Sequence, residues 1–212
     1  MSIRSAAVVG TGAVGEALAR NLVSHGIDVQ IASRDADAVQ KLVAKLGDRA
    51  RAVETKALGA GVDVVFLAVP ADAAPLVLEA ASAIGNAIVV DCTNPITWDA
   101  GPVHAPPAEG SMAAHLAHRF PKARIVKAFN TFGAEFHADA KLGATKADLY
   151  LAGDDADAKR ALSELAATMG FEPVDVGPLR NARHLESLAI LWIHLASVGG
   201  KGRQVAFKLL AR

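Results

Sequence analysis

The chain has 212 residues, 52% of them hydrophobic, which is enough to bury the core of one large domain or of one domain with a small appendage. Lys plus Arg and Asp plus Glu both number 22, so no net field exists to draw in nucleic acid or an anionic membrane surface. The single cysteine, Cys92, cannot close an internal disulfide and has no His/Cys cluster beside it to build a structural zinc site.

Met1-Ser2-Ile3-Arg4 leads straight into an apolar run, without the basic start, apolar stretch and small-residue cleavage site of a signal peptide, so a cytoplasmic location is expected. That run, Ser5-Ala6-Ala7-Val8-Val9, predicts a strand ending at the glycine-rich turn Gly10-Thr11-Gly12-Ala13-Val14-Gly15. Val14, Leu18 and Leu22 then recur at helical spacing over 13–25. Gly26 ends this helix, Val29-Gln30-Ile31-Ala32-Ser33 forms a second strand, and Val39, Leu42, Val43 and Leu46 give a helix over 35–46 one apolar face. The unit has about the length that a parallel crossover needs. Residues 51–61 carry a weaker signal for a short edge strand and part of a helix. The nearly continuous apolar run over 62–69 suits a parallel strand covered on both faces, and Pro70 stops it.

A helix over 71–84 and a buried strand, Ala87-Ile88-Val89-Val90-Asp91, follow. A Pro/Gly-bearing loop over 94–110 comes next, of a length that is usually functional or disordered. Ser111 caps a helix running to Phe120, and Ala123-Arg124-Ile125-Val126-Lys127-Ala128 is a further strand. Strand over 148–152, helix over 155–169, strand Pro173-Val174-Asp175-Val176 and a long helix over 179–198 complete the alternation. That last helix is interrupted by His194, and its apolar stretch is too short to cross a hydrocarbon layer of roughly 30 Å. The pattern predicts an α/β fold, a Rossmann-type doubly wound, mostly parallel sheet with a small C-terminal helical portion. Residues 1–150 are expected to form the dinucleotide-binding domain. Residues 151–212 are expected to complete a cleft and, through Leu188, Ile190, Leu191, Trp192, Ile193 and Leu195, to supply the contacts of a homodimer.

In a Rossmann turn the first glycine permits the bend, the second lets the backbone approach a pyrophosphate and the third allows close packing of helix on strand. Gly10, Gly12 and Gly15 fill these places, with Ala13 and Val14 opening the helix whose amides face phosphate. Ser33-Arg34 stands at the end of the second strand, about 20 residues on, where an acidic residue would select NAD and a basic one accommodates the 2′-phosphate of NADP. NADP(H) is therefore the expected cofactor, with Thr11 adding a hydroxyl. The competing reading pairs Arg34 with Asp35 or Asp37. The strand ends at Val69-Pro70, Asn94-Pro95 and Ala128 to Asn130 are expected to line the nicotinamide side, since open parallel sheets bind ligands at the carboxyl ends of their strands.

What is missing narrows the chemistry. The sole tyrosine, Tyr150, is followed four residues later by Asp154, so the Tyr/Lys pair of a short-chain dehydrogenase is absent. Too little chain follows residue 178 for the large helical domain of a hydroxyacid dehydrogenase. His115 and His118 share a helix face without a third ligand, so no metal is expected, and no catalytic side chain is assigned. Such a fold suits a small-molecule redox acceptor that needs little proton help, such as a flavin-like ring, where proximity and orientation in a dry cleft suffice. A non-catalytic NADP-binding sensor or partner domain is the alternative.

Several stretches together resemble the NADPH-dependent reductases of the deazaflavin coenzyme F420. They are Gly10 to Gly15, Ser33-Arg34, Asp91-Cys92-Thr93-Asn94-Pro95, Lys127-Ala128-Phe129-Asn130-Thr131, Gly153-Asp154-Asp155, and Asp175-Val176-Gly177-Pro178-Leu179 with Arg183 and Glu186. The resemblance runs over nearly the whole chain. It implies direct hydride transfer between NADP(H) and a deazaflavin or flavin-type ring in a mostly apolar cavity, with Thr11, Ser33 and Arg34 on the 2′-phosphate. Two positions depart from the family pattern. Asp35-Ala36-Asp37-Ala38 stands where members can carry a further lysine, and Ala113-Ala114 where an early glutamate is common.

Overall fold

The computed structural model describes residues 2–211. Residues 5–95 build a parallel half-sheet. Strand β1 (Ser5–Val9) is followed by helix α1 (Ala13–Ser24), β2 (Asp28–Ala32), α2 (Ala36–Leu46), β3 (Ala50–Ala52), β4 (Val64–Leu67), α3 (Ala74–Ala80) and β5 (Ile88–Asp91). Ala6, Ala7 and Val8 have no exposed surface, as expected for a central strand with a parallel neighbour on each side, here β2 and β4.

After β5 come β6 (Ile96–Trp98), β7 (Pro102–His104), α4 (Met112–Arg119), β8 (Arg124–Lys127), α5 (Ala134–Ala138), β9 (Lys141–Leu142), β10 (Thr145–Lys146), β11 (Asp148–Gly153), α6 (Ala156–Thr168), β12 (Glu172–Asp175) and α7 (Ala182–Ser197). The eight-stranded sheet runs β12-β11-β8-β5-β4-β1-β2-β3, and its last two strands reverse direction together, β11 lying antiparallel to β8 and β12 parallel to β11. The sheet is doubly wound. Leu18, Leu22, Leu42 and Leu162 from α1, α2 and α6 bury one face, while Leu78, Leu116 and Ala182 from α3, α4 and the start of α7 bury the other.

The structure refines the elements read from sequence. The 94–110 loop is an antiparallel hairpin, β6 with β7, in which Ile96 faces His104 across the strands. The 71–84 helix is a 3-10 turn, Ala71–Ala73, followed by the short α3, which ends at Ala80. The long helix likewise begins as a 3-10 turn, Leu179–Asn181. Three elements carry no periodic signal because they are five residues or fewer: α5, β9 and β10. The 150/151 division falls inside β11, and β11 and β12 continue the main sheet.

Candidate functional site

The carboxyl ends of β1, β2, β4, β5 and β8 share one edge of the sheet. At the first of them, Gly10 has φ +112°, and a Cβ there would lie 2.2 Å from the Ala68 carbonyl oxygen. A Cβ on Gly15 would lie 2.1 Å from the Gly10 carbonyl oxygen. Both positions exclude any side chain. Gly12 differs, because a Cβ built on it meets nothing within 4 Å. Glycine at 12 therefore serves no internal contact, and it leaves open space in front of the backbone. Helix α1 has no side-chain cap on Gly12, whereas Asp35, Ser111 and Asp155 cap α2, α4 and α6. The N–H groups of its first turn have no side-chain acceptor, as is also the case at α3, α5 and α7.

At the end of β2 the Thr11 hydroxyl donates to the Ser33 hydroxyl over 3.4 Å. Arg34 beside them is exposed. The Asp35 carboxylate is engaged at the α2 cap, accepting from the Ala38 N–H, and no salt bridge holds Arg34 among the described residues. Gly10, Thr11, Gly12, Ser33, Arg34, Val69 and Pro70 line one groove of about 410 Å³, joined by Thr55, Leu76 and Val77, which the sequence did not single out. Ala13 and Val14 open α1 directly after Gly12, and their side chains are not part of that lining. A second groove of about 680 Å³ begins at Pro70 and is lined by Asn94, Pro95, Ile96, Ala105, Pro107 and Met112, with Asp72 as its ionisable residue.

Ala128 and Asn130 do not reach either lining. Ala128 is fully buried, and its N–H donates to the Asp91 carbonyl. The Asn130 amide donates to Asn94 Oδ1 and to the Leu185 carbonyl, while the Asn94 amide donates to the Asn130 carbonyl. Asn130 thus holds Asn94, which lines the second groove. Between them Phe129 takes a left-handed conformation, φ 60°, with its ring edge-on to Phe66 and Phe171. Packing of three rings fixes a backbone geometry that a bulky residue rarely adopts.

A charge cluster lies beneath this edge. The fully buried Lys127 ammonium donates to Asp91 Oδ2 and Glu186 Oε1, each at 2.9 Å, and to the Thr93 carbonyl. Burial opposes its charge, but the two carboxylates outweigh that and raise its pKa above the ordinary lysine value. Asp91 also accepts the Thr93 N–H, and Glu186 accepts the Met112 N–H and bonds His104 Nε2 at 2.9 Å. A lysine inside the apolar strand 123–128 is a sequence signal for such a partner. His104, 82 residues from Glu186, gave none. Cys92 sits beside the cluster, and burial pushes its thiol pKa up, so the group is a protonated packing residue. Among the described residues no group of three or more His, Cys, Asp or Glu could hold a metal ion, and no helix is long and apolar enough to cross a membrane.

The family model described as NADP oxidoreductase, coenzyme F420-dependent, matches residues 5–95. The F420-dependent NADP reductase of Methanothermobacter marburgensis is 32% identical over 207 residues, covering 91% of this chain and 92% of that protein. The rat metalloreductase STEAP3 is 30% identical over 184 residues, 86% of this chain, which spans only 36% of that longer protein. A solved structure from Arthrobacter sp. FB24, described as a candidate F420-dependent NADP reductase, superposes with a TM-score of 0.88 at 26% identity. The match covers 99% of this chain and all of that one. A doubly wound sheet with an uncapped glycine turn, in this company, defines an NADP-dependent oxidoreductase of Rossmann type. Within that class the chain belongs to the family of F420-dependent NADP reductases.

Proposed function

We propose that this chain binds NADP(H) along the first groove and passes a hydride directly to a deazaflavin such as coenzyme F420, or to a flavin-type ring, in the second. The observation that carries this reading is that the two grooves meet at Pro70, one with phosphate-site chemistry and one walled mainly by Pro, Ala, Ile and Met. The α1 amides and the space at Gly12 would hold the pyrophosphate, and Thr11, Ser33 and Arg34 the 2′-phosphate. Val69, Pro70, Asn94 and Pro95 would border the nicotinamide end, with Ala128 and Asn130 fixing those strand ends from below. Bound NADPH supplies the hydride. The work of the protein is to bring two planar groups together and keep water out, with residues from 151 onward closing the cleft through α7.

Stopped-flow mixing of the protein with NADPH and either oxidised coenzyme F420 or FMN tests this, with bleaching of one ring as the expected result. Reduction of neither ring overturns the reading. Tight NADPH binding without turnover would instead make the chain an NADP-binding sensor.

We also infer a homodimer built on α7. Leu185, Ala189 and Trp192 are buried within the chain, but Leu191 is 48% and Val198 47% exposed on the outer side. Sedimentation at micromolar concentration is expected to give a dimer, and Leu191→Glu with Val198→Glu a monomer. A wild-type monomer refutes it. The lone protonated thiol of Cys92 fits a reducing compartment such as the cytoplasm.

A further inference from the structure

Asp91, Lys127, Glu186 and His104 form a continuous line of hydrogen-bonded charges from the buried strand ends to the hairpin. The side chains of the first three have no exposed surface, and His104 retains 21%. His104 is therefore the one member of this line in touch with solvent. Two carboxylates and one ammonium leave the buried trio with one negative charge in excess, and a protonated His104 brings the four to zero. The other titratable or charged groups of the hairpin and α7 are His194, Arg183, Asp99 and the exposed His184. His194 of α7 lies near Gly101, the Arg183 guanidinium lies near Gly110, and Asp99 sits in the hairpin turn. Among the described residues, Glu186 is the group that bonds the His104 ring.

The pair sits where the second groove is built. Ile96 is the cross-strand partner of His104, Ala105 is its chain neighbour, and Met112 gives its N–H to the same Glu186 carboxylate. All three line that groove. None of Gly12, Ser33 or Arg34 is bonded to any member of the line. A change at His104 is therefore felt by the hairpin wall and not by the 2′-phosphate site.

We propose that His104 and Glu186 are positioning residues for the hydride acceptor: their pair clamps the β6–β7 hairpin onto α7, tightly when His104 is charged and loosely when it is neutral. The clamp rests on the hairpin geometry, and its meaning for the acceptor rests on the function proposed above.

Amide hydrogen exchange over residues 96–105 reads the clamp without any turnover. Wild type and His104→Gln are compared at the same pH values between about pH 5 and about pH 8, the interval in which histidine changes charge. After correction for intrinsic rates, wild-type hairpin exchange is expected to rise about tenfold across this interval. The variant, whose amide can bond Glu186 but cannot ionise, is expected to hold one rate. With the ring that is reduced, acceptor KM should rise several-fold in parallel while NADPH Kd stays within about twofold. Glu186→Gln should flatten the same profile. Hairpin exchange in wild type that is independent of pH overturns the proposal, and so does an NADPH Kd that moves as much as the acceptor KM. If the exchange follows expectation and neither ring is reduced, the clamp stands and the assignment of the groove to the acceptor fails.

Discussion

The glycine turn after β1 and the paired ends of β5 and β8 lie on one edge of one sheet, yet they treat polar groups in opposite ways. At the turn, α1 starts without a side-chain cap, Gly12 fronts open space and Arg34 is exposed. At β5 and β8, all three protons of the Lys127 ammonium are donated inside the protein, to Asp91, Thr93 and Glu186. Open donors mark where a ligand belongs, and closed ones mark the frame that holds the ligand site in place. Substitutions in the Lys127 cluster and at the open positions of the turn, Gly12 and Arg34, should therefore separate: stability without affinity at the first, affinity without stability at the second.

The sharpest break comes from Lys127→Met, which strands two buried carboxylates and is expected to cost about 3–5 kcal/mol in urea unfolding. A loss below about 1 kcal/mol would mean that the cluster is not the frame described. Next come two glycines of the same turn. Gly15→Ala should cost about 1–3 kcal/mol of stability through its clash with the Gly10 carbonyl. Gly12→Ala should leave the unfolding midpoint nearly unchanged and weaken NADPH binding at least ~10-fold, by about 1.4 kcal/mol. Equal effects of the two on stability would erase the distinction between a packing glycine and a ligand glycine.

Arg34→Ala should weaken NADPH by ~10- to 100-fold, in line with about 1.5–3 kcal/mol for bonds to a charged group, and leave NADH binding alone. Equal loss for both cofactors in a titration would refute its role at the 2′-phosphate. The smallest effect is a pH dependence. Burial holds the His137 pKa below its ordinary 6.5, outweighing the bonds to the Gly133 and Phe129 carbonyls that raise it. Its neutral form is thus favoured by folding. That contribution is complete above about pH 6.5 and is lost as the pH falls toward the depressed folded value, by at most ~1.4 kcal/mol per pH unit. Thermal unfolding of His137→Gln should lack this slope.

The parallel half of the fold was legible because its strands are buried on both faces and its helices repeat at regular spacing, and the turn and Ser33-Arg34 were legible because their chemistry is local. The hairpin was not, since Ile96–Trp98 and Pro102–His104 are three residues each and bounded by prolines. Lys127 and Glu186 stood out as residues shared with the reductase family, but their partnership spans 59 residues and needs the fold to bring it together. Asn130 illustrates the same limit: a polar residue at a strand end is placed on the correct edge by sequence, while its engagement with Asn94 and Leu185 depends on α7.

The sheet ends in β3 on one side and β12 on the other. β3 is three residues long, and β12 carries Pro173 between Glu172 and Val176, whose N–H groups point inward to the Ala147 and Leu151 carbonyls. The proline therefore occupies an outward position, where it removes the donor that an incoming strand would use. Both margins are poor templates for growth. Growth of the main sheet from copy to copy is therefore disfavoured, which makes brevity at one margin and a single ring at the other a safeguard against fibre-like assembly through that sheet.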